Sequence, residues 1–307
     1  MPTQKGLRSS RIRIHALLPV PAQPEASPYR GNCHIRSTFH LSQSATHIFK
    51  SSAEESFQTG VGNAEVFTLV HLAIECILAG NNGMFCSGGI SKMKVLAING
   101  SPRKKWNTGI LLEKALEGAA SVGAETELVH LYDLSFKGCT SCFACKLKDG
   151  RSYGKCAMRD GLTPVLDKVH SADALVLGSP IYFGTVTGEM RSCMERLLFP
   201  YLTYTRPPAS LFGRKIPTAF IYTMNVPESM MKEHYHVHIE QNANVLSRMF
   251  GQTESLCSFE TLQFEDYDTV VFNYVNPEDR RERRRTVFPE DCRKAFAMGA
   301  RMAQTSL

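Results

Sequence analysis

The chain has 307 residues, 43% hydrophobic and 21% charged, with 35 basic residues against 29 acidic ones for a net charge of +6. That is the composition of a globular protein with a sizeable core, and it excludes wholesale disorder, collagen and small disulfide scaffolds. The basic residues are too evenly spread for a nucleic-acid binder, and no apolar run reaches the ~18 residues of a spanning helix.

The first 92 residues differ from the rest. Up to Lys50 the only acidic residue is Glu25, and Pro19, Pro21, Pro24 and Pro28 break any helix there. From Met93 the run Met-Lys-Val-Leu-Ala-Ile-Asn-Gly opens directly into a buried strand. Gly88 and Gly89 lie upstream at the distance a ribosome-binding site would occupy. Residues 1–92 are therefore read as upstream sequence translated from a misplaced start, with a disordered extension or a targeting presequence as the alternatives.

After Met93, strands and helices alternate. Lys94–Asn99 is a strand, and Gly109–Val122 has helical periodicity ending at Gly123. Glu127–Leu131 is a second strand, followed by a cysteine-bearing loop. Leu162–Ser171 is a helix with Pro164 in its first turn. Ala174–Gly178 is a third strand, Gly188–Leu202 an amphipathic helix, and Lys215–Thr223 a fourth strand. Glu233–Phe250 is helical, Ser255–Phe264 a fifth strand, and Pro289–Ala303 the closing helix. Near-continuous apolar strands between helices predict an α/β fold, a doubly wound parallel sheet covered on both faces.

In such a sheet, ligands bind beyond the carboxyl ends of the strands. The turn after the first strand, Asn99-Gly100-Ser101-Pro102-Arg103-Lys104-Lys105-Trp106-Asn107-Thr108-Gly109, brings hydroxyls, amides and three cations to a helix N-terminus. Free N–H groups and the helix dipole favour a phosphate there. The plain alternative is a turn capped by Asn107 or Thr108.

This turn resembles the phosphate loop of the flavodoxin-like, NAD(P)H-dependent FMN reductase superfamily. Gly178-Ser179-Pro180-Ile181-Tyr182-Phe183-Gly184-Thr185-Val186-Thr187-Gly188 resembles its flavin loop, and Met190–Arg196 resembles the helix that follows. The resemblance covers most of Met93–Leu307. It implies a five-stranded sheet in the order 2-1-3-4-5 and non-covalent FMN. Ser101, Arg103, Asn107 and Thr108 would hold the phosphate, Pro180, Ile181, Tyr182, Phe183 and Gly184 the ring, and Thr223, Met224 and Asn225 a third side of the pocket. Tyr182 and Phe183 also offer flat apolar surface to a ring on their own account.

Cys139-x2-Cys142-x2-Cys145-x10-Cys156 gathers four of the ten cysteines in one loop. Such a cluster reads as metal-binding or redox-active before it reads as a disulfide framework. It resembles the compact motif of the iron–sulfur flavoproteins, a branch of the same superfamily in which four thiolates hold a [4Fe–4S] cluster. The last gap of ten residues is longer than in that motif, but Gly150 and Gly154 within it allow the loop to return. A tetrahedral zinc site and free redox-active thiols remain open for the same residues.

His234-x-His236-x-His238 would share a face on a strand but not on a helix, which its flanks favour. Arg280-Arg281-Glu282-Arg283-Arg284-Arg285 reads as a solvated helix face, with steering of an anionic nucleotide or a partner as the alternative, and Glu195 with Arg196 as an interface or surface pair. No protein nucleophile is expected, because a flavin carries its own redox chemistry.

The resemblance implies an FMN-dependent oxidoreductase that takes electrons from NAD(P)H or a ferredoxin-type donor. It would be a homo-oligomer, cytoplasmic if translation begins near Met93. The alternatives are a non-enzymatic electron carrier of the flavodoxin kind, against which the basic charge counts, and a zinc-stapled interaction domain.

Overall fold

The structure, a computed structural model, describes residues 92–305. The expectation for residues 1–92, a misplaced start or an extension, lies outside the described residues except for Lys92 itself.

The sheet is built from β1 (Lys94–Asn99), β2 (Glu125–His130), β3 (Ala174–Tyr182), β4 (Thr185–Val186), β5 (Thr218–Thr223) and β6 (Thr253–Ser258). The parallel strands run in the order β2-β1-β3-β5-β6, and β4 turns back antiparallel on the end of β3. Without that two-residue strand, this is the expected 2-1-3-4-5 order. The helices are α1 (Asn107–Ser121), α2 (Thr163–Ser171), α3 (Gly188–Leu198), α4 (His236–Phe250), α5 (Pro277–Thr286) and α6 (Phe288–Gln304).

Side-chain alternation along the strands divides the core in two. Leu96 and Ile98 of β1, Leu175 and Leu177 of β3, and Phe220 and Tyr222 of β5 point to one face, where they meet α2, α3 and α4. Val95 and Ala97, Ala174 and Val176, and Ala219 and Ile221 point to the other, under α1 and α6. Both faces being covered explains why these strands read as continuous apolar runs rather than as an alternation. No helix among the described residues is long and apolar enough to cross a membrane.

The sequence reading did not include β4 or α5 among its elements, and the other differences fall at element ends. β3 continues through Ser179 and Pro180 to Tyr182, because β5 pairs with it as far as Pro180 and β4 pairs with its tip. The expected helix Gly188–Leu202 ends as α-helix at Leu198 and tightens into a 3-10 turn, Phe199–Tyr201, with Pro200 in it. The fifth strand ends at Ser258, and the chain then runs irregularly across the carboxyl edge of the sheet.

Candidate functional site: two loops at the carboxyl edge of the sheet

The two resembling loops are tied to each other. The Gly100 N–H donates to the Gly178 carbonyl at 2.8 Å. The Thr187 hydroxyl donates to the Gly100 carbonyl at 2.7 Å, and the Thr187 N–H donates to Ser179 Oγ at 3.0 Å. Thr187 also caps α3, accepting from the Met190 N–H at 3.3 Å. One buried side chain therefore closes the first loop, orders the second and starts the helix behind it.

In the first loop, Asn99 at the end of β1 accepts from the Ser101 N–H at 2.8 Å and donates Nδ2 to His130 Nδ1 at 3.1 Å. Ser101 Oγ accepts from the Arg103 N–H at 3.2 Å. The helix begins at Asn107 rather than Gly109, and Trp106 occupies the N-cap. No side chain among the described residues caps this terminus, and its first turn holds no acidic residue. Its first N–H groups therefore look into the loop without a helical partner. The loop also crowds the helix start. A Cβ on Gly109 would lie 1.7 Å from the Lys104 carbonyl oxygen, so only glycine fits there.

The second loop is a two-residue hairpin in which Tyr182 pairs with Thr185. Phe183 (φ 49°) and Gly184 (φ 83°) both take left-handed backbone, as tight hairpins of this kind require. Glycine does so freely. Phe183 does so at a cost of about 1 kcal/mol with its ring fully exposed. A strained, exposed aromatic at the carboxyl edge of the sheet is a feature that contacts to a ligand would justify. His238 of α4 steadies the hairpin from behind, since its Nε2 accepts from the Val186 N–H at 3.3 Å and from Asn242 Nδ2 at 3.1 Å. Burial, reinforced by Arg191, lowers the His238 pKa below its usual value.

The structure brings the third side to the same edge. Thr108 and Thr223 share a hydroxyl hydrogen bond of 2.8 Å, and both are buried. Asn107 donates Nδ2 to the Leu262 carbonyl at 2.8 Å and accepts from Arg284 at 2.9 Å. Asn225 donates Nδ2 to Gln263 Oε1 at 3.2 Å and accepts from Arg280 Nε at 3.0 Å. Arg103 reaches the Gln263 carbonyl and lies 5.2 Å from the Trp106 ring, whose Nε1 donates to the Leu262 carbonyl at 2.9 Å. The amides of Asn107 and Asn225 are thus engaged by protein groups. Ser101 Oγ and the first N–H groups of α1 remain at the loop.

The cysteine loop lies beside α3. Cys139, Cys142, Cys145 and Cys156 line one small cavity together with Arg196 and Phe199. The ten-residue gap returns as expected, with the Gly154 N–H donating to the Cys145 carbonyl at 3.1 Å. Lys146 anchors the turn by donating to the Phe199, Pro200 and Leu202 carbonyls. Burial pushes the Cys145 thiol pKa up. The cysteines among the described residues are free thiols. The donor set suits an iron–sulfur cluster, but the four thiols gather round the cavity without converging. Among the described residues no three His, Cys, Asp or Glu side chains meet at a metal position. The three histidines do not meet either, because they lie on a π-helical turn and the start of α4.

Arg196 corrects the surface reading. It is 1% exposed and pairs with Asp160, donates Nε to Cys156 Sγ at 3.4 Å, and donates to the Lys137 carbonyl at 3.1 Å. Glu195 pairs instead with Arg191 and accepts from the Cys139 N–H at 3.3 Å. The arginine run is corrected as well: Arg280 is 3% exposed, and Arg284 reaches the first loop.

The two loops are thus locked together at one edge of the sheet. Residues 93–238 match the family model of NADPH-dependent FMN reductase. The resemblance read from the loops, to this superfamily and its iron–sulfur flavoprotein branch, is borne out. An iron–sulfur flavoprotein of Archaeoglobus fulgidus is 46% identical over 104 residues, covering 34% of this chain and 48% of that protein. One from Methanocaldococcus jannaschii is 40% identical over 104 residues, covering 34% and 51%. The chain spans about half the length of these curated relatives. The solved NAD(P)H:quinone oxidoreductase of Methanothermobacter marburgensis superposes with a TM-score of 0.50 over 68% of this chain and 98% of that one. At 13% identity that likeness shows the fold alone, which is flavodoxin-like.

Leu262 and Gln263 escaped the sequence reading, which gave Thr187 no role of its own within the second loop and took Arg280 and Arg284 only as part of a charged run. Thr187 carried a signal, a threonine directly before a helix. Arg280 and Arg284 carried a weaker one. Asn276-Pro277 starts a helix on which they share a face, four residues apart. Leu262 acts through its backbone carbonyl, which leaves no trace in composition.

Proposed function

We propose that this chain is an FMN-dependent oxidoreductase that passes electrons from a reduced pyridine nucleotide or a ferredoxin-type donor to an acceptor. FMN, when bound, supplies the hydride and electron chemistry. The observation that carries the reading is the tie between the two loops, Gly100 to Gly178 and Thr187 to Gly100, which sets the uncapped start of α1 and a strained aromatic hairpin along one edge.

In this reading, the first N–H groups of α1, Ser101 Oγ and Arg103 hold the phosphate. Asn107 and Thr108 shape that end. Pro180 to Gly184 hold the ring by backbone and by the faces of Tyr182 and Phe183. Thr223 and Asn225 close the third side. Cys139, Cys142, Cys145 and Cys156 hold an iron–sulfur cluster, with the Arg196 guanidinium supplying positive charge beside Cys156. That reading is supported by the shared cavity and by the relatives' names.

The test is the full chain purified without oxygen. Its absorption spectrum, the flavin released on denaturation, and its iron and acid-labile sulfide are measured, followed by oxidation of NADH and NADPH. Released FMN together with iron and sulfide supports the reading. A colourless chain that takes up no FMN overturns it, and FMN without iron overturns the cluster alone.

A further inference from the structure

We propose that helix α5 clamps the flavin site, with Arg284 and Arg280 as positioning residues that fix the two loop asparagines, Asn107 and Asn225. The proposal rests on the FMN reading above and assigns to it residues beyond the 93–238 match.

The helix divides its charge by face. Outward, Arg281 and Arg285 pair with Glu278, and Arg285 also with Glu282, so that face neutralises itself. Inward, Arg280 is buried and forks onto the loop after β5. Its Nε donates to Asn225 Oδ1 and its Nη2 to the Asn225 carbonyl, each at 3.0 Å, while Nη1 meets Glu260 at 3.0 Å. This fixes both the side chain and the backbone of Asn225, as a planar guanidinium with several donors can.

One turn on, Arg284 donates Nη1 to Asn107 Oδ1 at 2.9 Å, and its guanidinium lies 3.9 Å from the centroid of the Phe288 ring. Asn107 is the first residue of α1. A cation here opposes the positive end of the helix dipole. Arg103, Lys104 and Lys105 precede it in the same loop, and of these lysines Lys104 is offset by Asp133. Cations gathered at an uncapped helix start, with no carboxylate in its first turn, are mutually unfavourable until an anion joins them. Arg284 therefore serves the phosphate end of the site, and Arg280 the strand-β5 side.

The test measures dissociation constants of the full-length chain, freed of flavin, for FMN and for riboflavin, which lacks the phosphate. Arg284→Gln is expected to weaken FMN binding about tenfold and leave riboflavin within about twofold, with Arg284→Lys restoring most of the loss. Arg280→Gln is expected to weaken both flavins together. A structural lesion alone would lower both affinities in the Arg284 variant, so the FMN-to-riboflavin ratio is the deciding quantity. An unchanged ratio in Arg284→Gln, with wild type preferring FMN, overturns the proposal. A wild-type chain that binds neither flavin overturns the FMN reading and this proposal with it. Should Arg284→Gln fail to fold, Asn107→Ala breaks the same link from the other side and is held to the same ratio.

Discussion

The Thr187 hydroxyl and the Gly100 carbonyl lie 2.7 Å apart, both out of reach of solvent, and this contact joins the two loops of the site. Thr187→Val keeps the volume but leaves the Gly100 carbonyl without this donor and α3 without its cap. The expected loss is about 2 kcal/mol in urea unfolding. Thr187→Ser should recover most of it. A valine variant as stable as wild type would show that the loops are held elsewhere.

Gly109 tests the first loop alone. Gly109→Ala places a methyl group against the Lys104 carbonyl, which must move. The body of α1 is untouched, so the fold should survive while FMN affinity falls about tenfold or more, read by quenching of flavin fluorescence. Unchanged affinity would separate this loop from the phosphate.

His238 makes the hairpin sensitive to acid. Its folded pKa is lowered, first by burial and then by Arg191, while the unfolded chain titrates near the usual 6.5. The unfolded state therefore binds the proton more readily, and stability falls as pH drops from neutrality through 6.5 towards the lowered folded value. Protonation also removes the acceptor that Nε2 offers the Val186 N–H. Thermal midpoints of wild type and His238→Gln, taken from pH 7.5 down to 5, should converge on acidification. Parallel curves would contradict the assignment.

Arg196 is buried and its partner Asp160 partly so; removing the arginine leaves the carboxylate without its cation, held only by the Leu162 and Lys137 N–H groups. Arg196→Met should cost about 2 kcal/mol, and adding Asp160→Asn should return part of it. Iron bound after anaerobic reconstitution should fall in both, because the guanidinium beside Cys156 is gone from both. Full iron content in the double variant would confine Arg196 to folding.

Much of the fold was legible because β1, β3 and β5 are buried on both faces and so read as uninterrupted apolar runs. The loops were legible because glycines, hydroxyls and aromatics sit there at fixed offsets. The cysteines stood out by spacing; they line one cavity, and no three of them converge. The misreadings have a common physical origin. Arg196, Arg280 and Arg284 are charged, and a charged residue in a sequence is assigned to solvent unless its partner is known. Those partners are Asp160, Asn225 and Asn107, distant in sequence and each joined by the folding of a loop. The carbonyls of Leu262 and Gln263 belong to the same class, since backbone acceptors are identical in every residue.

The matched family region stops at residue 238, near the start of α4, while the groups that steady Asn107, Trp106, Arg103 and Asn225 come from residues 260–284. A truncation drawn at that homology boundary would retain every loop residue assigned to the flavin and discard β6, both bracing carbonyls and both inward arginines. Chimeras and minimal versions of this protein should accordingly be cut beyond α6, since the recognisable half owes its shape to the unrecognised one.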